Sequence, residues 1–261
     1  MNESHQPLQK IRDQFTRQAD AYIRMQQTTD EEALGKLIAL TEVQSDHCVL
    51  DVACGPGFLT MGFARRCAEV IGFDATSEFL ARAREEAARR GLRNIQFHEG
   101  DAERLPFAAD SFDVVSYRAA FHHLVQPGRV LAEMKRVLKP TGCMLIADMI
   151  AAEDQEKAEY HNKIERLCDP THTSALAESD FDRIFDTERL DVVLRPKITI
   201  HYTLSEWMEH GGPSEKAAQE IVALMEASLD VDRSGLKVRR EDGALRFSHT
   251  AVAFVLRPRS P

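Results

Sequence analysis

The chain has 261 residues, 43% hydrophobic and 29% charged, with a formal net charge of −9. That length and composition suit a globular protein with a substantial core, and the acidity argues against nucleic acid as the main partner. No window approaches the ~18 apolar residues of a membrane span. The N-terminus has no apolar signal core, and the five cysteines form no C-x-x-C, so reduced thiols in the cytoplasm are expected.

Leu8, Ile11, Phe15, Ala19, Tyr22 and Ile23 recur three to four apart and predict an amphipathic helix over 8–27. A second helix is expected from Asp30, a good N-cap, to Thr41. Cys48 to Val52 is nearly all apolar, as in a strand buried on both faces. It runs into Gly55-Pro56-Gly57 and then a helical segment from Phe58. Glu69–Asp74 is a second strand, and Thr76 opens a helix bearing Phe79, Ala83 and Ala87 that Gly91 closes. Asn94–Glu99 and Phe112–Tyr117 are further strands. A helix begins near Pro127 and stops at Pro140 and Gly142, and Cys143–Ile150 is the fifth strand. Strands alternating with helices spell βαβ units and a parallel sheet. Beyond Ala151 the pattern turns helical and polar. A strand over Leu190–Tyr202 is broken at Pro196, helices follow near Trp207 and over Pro213–Leu229, and Arg246–Leu256 alternates as a last strand.

Strand, glycine turn and helix N-terminus together let a polar ligand approach main chain, because glycine has no Cβ and tolerates positive φ. Asp74 ends the second strand, where a doubly wound sheet sets a carboxylate against a ribose diol. Asp101 follows the third strand in the same layer of loops. A solvated turn carboxylate is the plain alternative for Asp74 taken singly. A nicotinamide dinucleotide is disfavoured, since Thr60 stands at the third glycine position of G-x-G-x-x-G.

VLDVACGPG, VIGFDAT, EGDAERLPF, FDVVSYRAAFHHL and EMKRVLKPTGCMLIAD occur in the order and spacing of class I S-adenosylmethionine-dependent methyltransferases. The chain resembles most the type 11 group related to ubiquinone/menaquinone-biosynthesis methyltransferases, well over residues 15–150 and loosely beyond. The resemblance implies an α/β, doubly wound, Rossmann-like seven-stranded mixed sheet with a helical cap insertion. We expect one domain over 1–261: lid helices (1–45), a cofactor-binding core (46–150), the cap with a sixth strand (151–235) and a final strand (236–261). By the same resemblance Asp51, Ala53, Gly55 and Gly57 shape the turn around the methionine portion of S-adenosylmethionine. Asp74 and Ala75 meet the ribose, Asp101 and Ala102 the adenine, and Tyr117 and Arg118 the methionyl end. Tyr22 is a contact from the closing F-x-x-x-A-x-x-Y segment. Ala53 replaces a usual glycine, which is tolerable if φ is negative there.

The implied reaction is in-line methyl transfer to O, N, S or C of a small-molecule acceptor, a quinone head group among the options. His122 and His123, just past the fourth strand, are the candidate bases, an imidazole pKa near 6.5 suiting that role; packing at a helix start is the alternative. Asp148 either faces the acceptor or only ends its strand. His122, His123, His161, His172, His201, His210 and His249 show no H-x-x-x-H or H-E-x-x-H spacing, so no metal is expected. Tyr160, His161, Glu165, Arg166 and Trp207 read as ordinary cap residues, core or surface. Arg239-Arg240 and Arg257-Pro258-Arg259 read as solvated clusters. A cofactor-binding protein of the same fold that does not methylate, or that uses the sulfonium for another reaction, is the alternative function, and a nicotinamide oxidoreductase ranks below it. The oligomeric state is left open, with a homodimer one option.

Overall fold

The structure, a computed structural model, describes residues 6–24 and 30–259, and in the first helix the side chains of residues 8–17. Val49, Leu50 and Val52 are wholly buried, which puts β1 (Cys48–Val52) in the middle of a sheet covered on both faces. β2 (Glu69–Asp74), β3 (Ile95–Glu99), β4 (Phe112–Arg118) and β5 (Leu138–Ile150) run parallel to it. β6 (Leu190–Leu194), β7 (Lys197–Thr203) and β8 (Arg239–Glu241) each pair antiparallel with β9 (Ala244–Pro258), which also pairs antiparallel with β5. The expected seven-stranded mixed path is present as β3-β2-β1-β4-β5-β9-β6, and β7 and β8 widen it to nine strands among the described residues.

Strand alternation sorts the core into two layers. Met144 and Ile146 of β5 and Phe254 of β9 face α5 (Pro127–Val137) and α7 (Glu178–Thr187). Leu145, Ala147 and Val255 face the other way, toward α2 (Glu31–Ala39) and α3 (Phe58–Ala64) through Leu34, Ile38, Leu59 and Phe63. A third cluster forms the cap, with Ile164 of α6 (Gln155–Cys168), Trp207 of α8 (Leu204–Gly211), Ile221 and Met225 of α9 (Glu215–Glu226), and Phe247. α1 (Gln6–Arg24) lies against α4 (Ser77–Arg89).

Local chemistry agrees with most expected boundaries. Asp30 caps α2 by accepting from the N–H groups of Glu32 and Ala33, and Pro127 opens α5. Thr76 stands at the N-cap of α4, but its side chain makes no capping bond. Pro196 separates β6 from β7, since proline has no N–H for the ladder. Two expectations are corrected. Pro140 and Gly142 do not stop a helix: α5 ends at Val137, and both lie inside β5, whose register against β4 shifts between Phe112 and Val114. The last strand extends from Ala244 to Pro258 rather than 246–256. The arginine clusters are partnered, Arg240 with Glu226 and Arg259 with Asp186 and Asp191. Among the described residues no helix is long and apolar enough to cross a membrane.

Candidate active site

Between β1 and α3 the chain adopts positive φ at alternate residues: Ala53 (53°), Gly55 (53°) and Gly57 (79°). A Cβ on Gly57 would lie 3.1 Å from the Ala83 methyl and the Phe97 ring, so that glycine is required twice over. Ala53 corrects the expectation of negative φ. The left-handed region costs an alanine about 1–2 kcal/mol, a cost the surrounding bonds must offset. Cys54 N–H donates to Phe73 O at 3.1 Å, and Gly55 N–H donates to Asp74 Oδ2 at 2.8 Å. Beneath the turn, Asp51 accepts from the hydroxyls of Thr60 (2.6 Å) and Ser116 (2.7 Å). Burial pushes its carboxyl up to about 6.

Asp74 is 8% exposed, and its second oxygen accepts from Thr76 N–H at 2.8 Å. Burial raises its pKa, against the N–H groups that favour the carboxylate. Asp101 lies on the same rim: Gly100 N–H donates to Asp74 O at 3.0 Å, and the exposed Asp101 carboxylate accepts from Glu103 N–H. Ala102 packs at the edge of the core, and Ala75 O accepts from Arg12 of α1 at 2.8 Å. The structure thus brings Asp51, Ala53, Gly55, Gly57, Asp74, Ala75, Asp101 and Ala102 to one edge of the sheet. Tyr117 differs in having its ring buried against Phe121, with the hydroxyl donating to Ala120 O. The side chains of Tyr22 and Ala19 fall outside the described residues.

Arg118 lines two cavities. One is small, against Asp51, Ala53 and Gly55; the other, about 820 Å³, is walled by His122, His123 and Asp148 and by apolar residues including Leu34, Leu37 and Trp207. His122 Nδ1 lies 2.6 Å from Asp148 Oδ1, and Asp148 Oδ2 accepts from Phe121 N–H at 2.6 Å. Asp148 therefore faces the cavity through His122. Burial disfavours a charged His122, but the Asp148 carboxylate outweighs it and raises the imidazole pKa; burial likewise opposes the Asp148 charge, and His122 holds that carboxyl low. His123 differs. Burial first, then the neighbouring His122, pushes it down to about 4, and its Nδ1–H donates to Thr171 O at 3.1 Å. The rings of His122 and His123 are 4.2 Å apart, and Phe15 stands edge-on to His123 at 5.1 Å. The cap loop locks the pair, since Thr173 and Ser174 N–H donate to His122 O.

The cap also contributes a cluster of residues expected from the sequence to be ordinary cap residues or histidines without ligand spacing. His161 and Glu165 of α6 and His249 of β9 are buried together, and Glu165 and His249 line the large cavity. The H-x-x-x-E spacing on a helix was the available signal, and it looks like any amphipathic turn.

A family model described as a methyltransferase domain matches residues 44–189. The uncharacterized methyltransferase YcgJ of Bacillus subtilis is 34% identical over 215 residues, 82% of this chain and 85% of that one. The crystal structure of the YcgJ protein superposes with a TM-score of 0.81 at 29% identity, covering 88% of this chain and 99% of that one. A demethylmenaquinone methyltransferase of Chlorobaculum parvum is 42% identical over 108 residues, 41% of this chain and 43% of its own length. With the glycine turn, the carboxylate rim and the sheet order in place, the chain belongs to the methyltransferase domain family and has the Rossmann-like class I fold of an S-adenosylmethionine-dependent methyltransferase.

Proposed function

We propose that the chain methylates a small, largely apolar acceptor, with S-adenosylmethionine held at the glycine turn and the acceptor's nucleophile deprotonated by His122. The observation that carries this is the His122–Asp148 pair, 2.6 Å apart in a cavity that shares Arg118 with the glycine turn.

The residues suit the cofactor. The two Asp74 oxygens accept from main-chain N–H groups of Gly55 and Thr76, which hold the carboxylate in place for the ribose hydroxyls. Asp101 and Ala102 stand beside it for the adenine. Asp51, Ala53, Gly55 and Gly57 shape the turn at the methionyl end, which Arg118 flanks by side chain and Tyr117 by main chain. Ala75 joins the ribose side, and Tyr22 is assigned to the lid. Bound there, S-adenosylmethionine supplies an electrophilic methyl carbon on a sulfonium.

The chain's own part is alignment and proton removal. Asp148 fixes the proton on His122 Nδ1, which leaves Nε2 as the acceptor of a hydroxyl or activated-carbon proton. The imidazolium that forms is stabilised by the same carboxylate. The apolar wall of Leu34, Leu37 and Trp207 suits a hydrophobic acceptor body.

Two measurements test the reading. S-adenosylhomocysteine should raise the melting temperature, and Asp74→Ala should weaken that binding by about 1–3 kcal/mol through lost charged hydrogen bonds. With methyl-labelled cofactor and a cell extract, label should appear in the small-molecule fraction. Label found only in protein or nucleic acid, or unaltered cofactor binding in Asp74→Ala, would sink the proposal.

A further inference from the structure

We propose that His161, Glu165 and His249 bind one divalent transition-metal ion in the wall of the large cavity. The three come from distant segments. α6 puts His161 and Glu165 on one helical face, four residues apart, and β9 brings His249 across from Ile200 of β7. All are buried, at 1%, 5% and 2% exposure respectively. One ligand atom from each lies within 4.8 Å of the others.

The protein alone does not satisfy this cluster. His249 Nε2 is 2.9 Å from Glu165 Oε1 and bonds to it. His161 Nε2 is 3.3 Å from the same oxygen but is not aligned for a hydrogen bond, and it has no other partner among the described residues. A buried polar atom left unpaired is costly, and His161 Nε2 is such an atom, aimed at a carboxylate oxygen that it does not bond. A cation resolves this: with each imidazole neutral and its one proton on Nδ1, any Nε2 proton passes to solvent, and two Nε2 lone pairs and a carboxylate converge on one point. Two histidines and one carboxylate form a donor set for zinc, iron(II) or cobalt rather than for magnesium or calcium, which prefer oxygen. A tetrahedral ion with ligands at ~2.1 Å sets them about 3.4 Å apart. The 2.9 and 3.3 Å separations are close to that, and the third is within 4.8 Å. Three protein ligands leave coordination open toward the cavity, where an oxygen of the acceptor can complete the shell. That last role rests on reading the cavity as the acceptor site; the ion's binding does not.

The test uses the full chain after chelator treatment, titrated with Co²⁺. Wild type should take up one equivalent with a visible ligand-field spectrum and a raised melting temperature, and Zn²⁺ should displace the colour. Glu165→Gln and His249→Ala should each weaken binding by about 100-fold or more, and His98→Ala, an exposed histidine on β3, should leave it unchanged. Binding that survives in both cluster variants, or that is lost in His98→Ala, overturns the site. Should the variants not fold, wild type decides alone: no cobalt spectrum and no thermal shift overturns the proposal. Cobalt binding without methyl transfer to any extract would remove the acceptor reading and leave the ion site standing.

Discussion

On the β1–β3 side of the site, main chain carries the geometry: Gly55 N–H reaches Asp74, Cys54 N–H reaches Phe73, and Gly100 N–H reaches Asp74 O. On the β4–β5 side, side chains carry it: His122 meets Asp148, His123 meets Thr171, and His161, Glu165 and His249 meet beneath the cap. The first arrangement binds through shape and is built from neighbouring turns. The second offers titratable groups drawn from four separated segments. On the proposed function, binding and chemistry are thereby divided between two kinds of material, and substitutions should separate them.

The sharpest division should come from His122. With the acceptor recovered from the extract, His122→Ala should lower kcat by 10²–10⁴-fold, about 3–5 kcal/mol, while S-adenosylhomocysteine affinity stays within twofold. Because Asp148 raises the His122 pKa, kcat/KM should climb with pH through a value above that of ordinary imidazole. Equal losses of binding and turnover would erase the division.

Acid should unsettle the histidine side next. His123 and His172 are held low by burial, at about 4 and about 3, against roughly 6.5 in the unfolded chain. The unfolded state then takes up protons first, so stability is lost as pH falls below about 6.5, by roughly 2 kcal/mol per ring at pH 5. His122, with its pKa raised, acts oppositely: its contribution is full below about 6.5 and is lost as pH rises through its folded value. Urea unfolding at pH 7 and pH 5 measures the acid loss, and His172→Asn should flatten it. Because the raised Asp51 and Asp74 carboxyls act oppositely, the test is the difference between wild type and His172→Asn: the same pH response in both would remove the buried neutral ring.

On the main-chain side, Gly57→Ala should cost about 1–2 kcal/mol from its left-handed backbone, plus the crowding at Ala83 and Phe97, read by denaturant midpoint. Ala53→Gly should do the reverse on a smaller scale, stabilising by up to about 1 kcal/mol as strain is relieved against the entropy of a freer unfolded chain. An Ala53→Gly protein that is less stable would mean that the strain is absent.

The main-chain side was legible because its chemistry is local. A strand, Gly55, Gly57 and a helix start announce the turn, and Asp74 ends β2 and Asp101 follows β3 where the sheet order brings them to one rim. The sign of φ at Ala53 was not legible, since it follows from the Asp74 and Phe73 bonds that close the loop. His122 and His123 were legible as a pair by their place after β4, whereas the choice between them and the proposed base role rest on Asp148 from the next strand. His249 was invisible as a site residue: only the pairing of β9 with β7 carries it to α6, across more than eighty residues of chain. Pro140 misled because a register shift let β5 absorb it.

The long last strand has a practical bearing on diversification. β9 ladders with β8, β7, β5 and β6 in turn along its length, so one rod splints the scaffold to the cap. On the proposed function, exchanging the segment between β5 and β9 with that of a relative should change the acceptor, provided that the grafted strands keep step with β9 and that α7 and β6 keep Phe181, Phe185 and Leu190 in the main core. Such a chimaera should retain the glycine turn and the Asp74 rim, which lie wholly outside the exchanged segment.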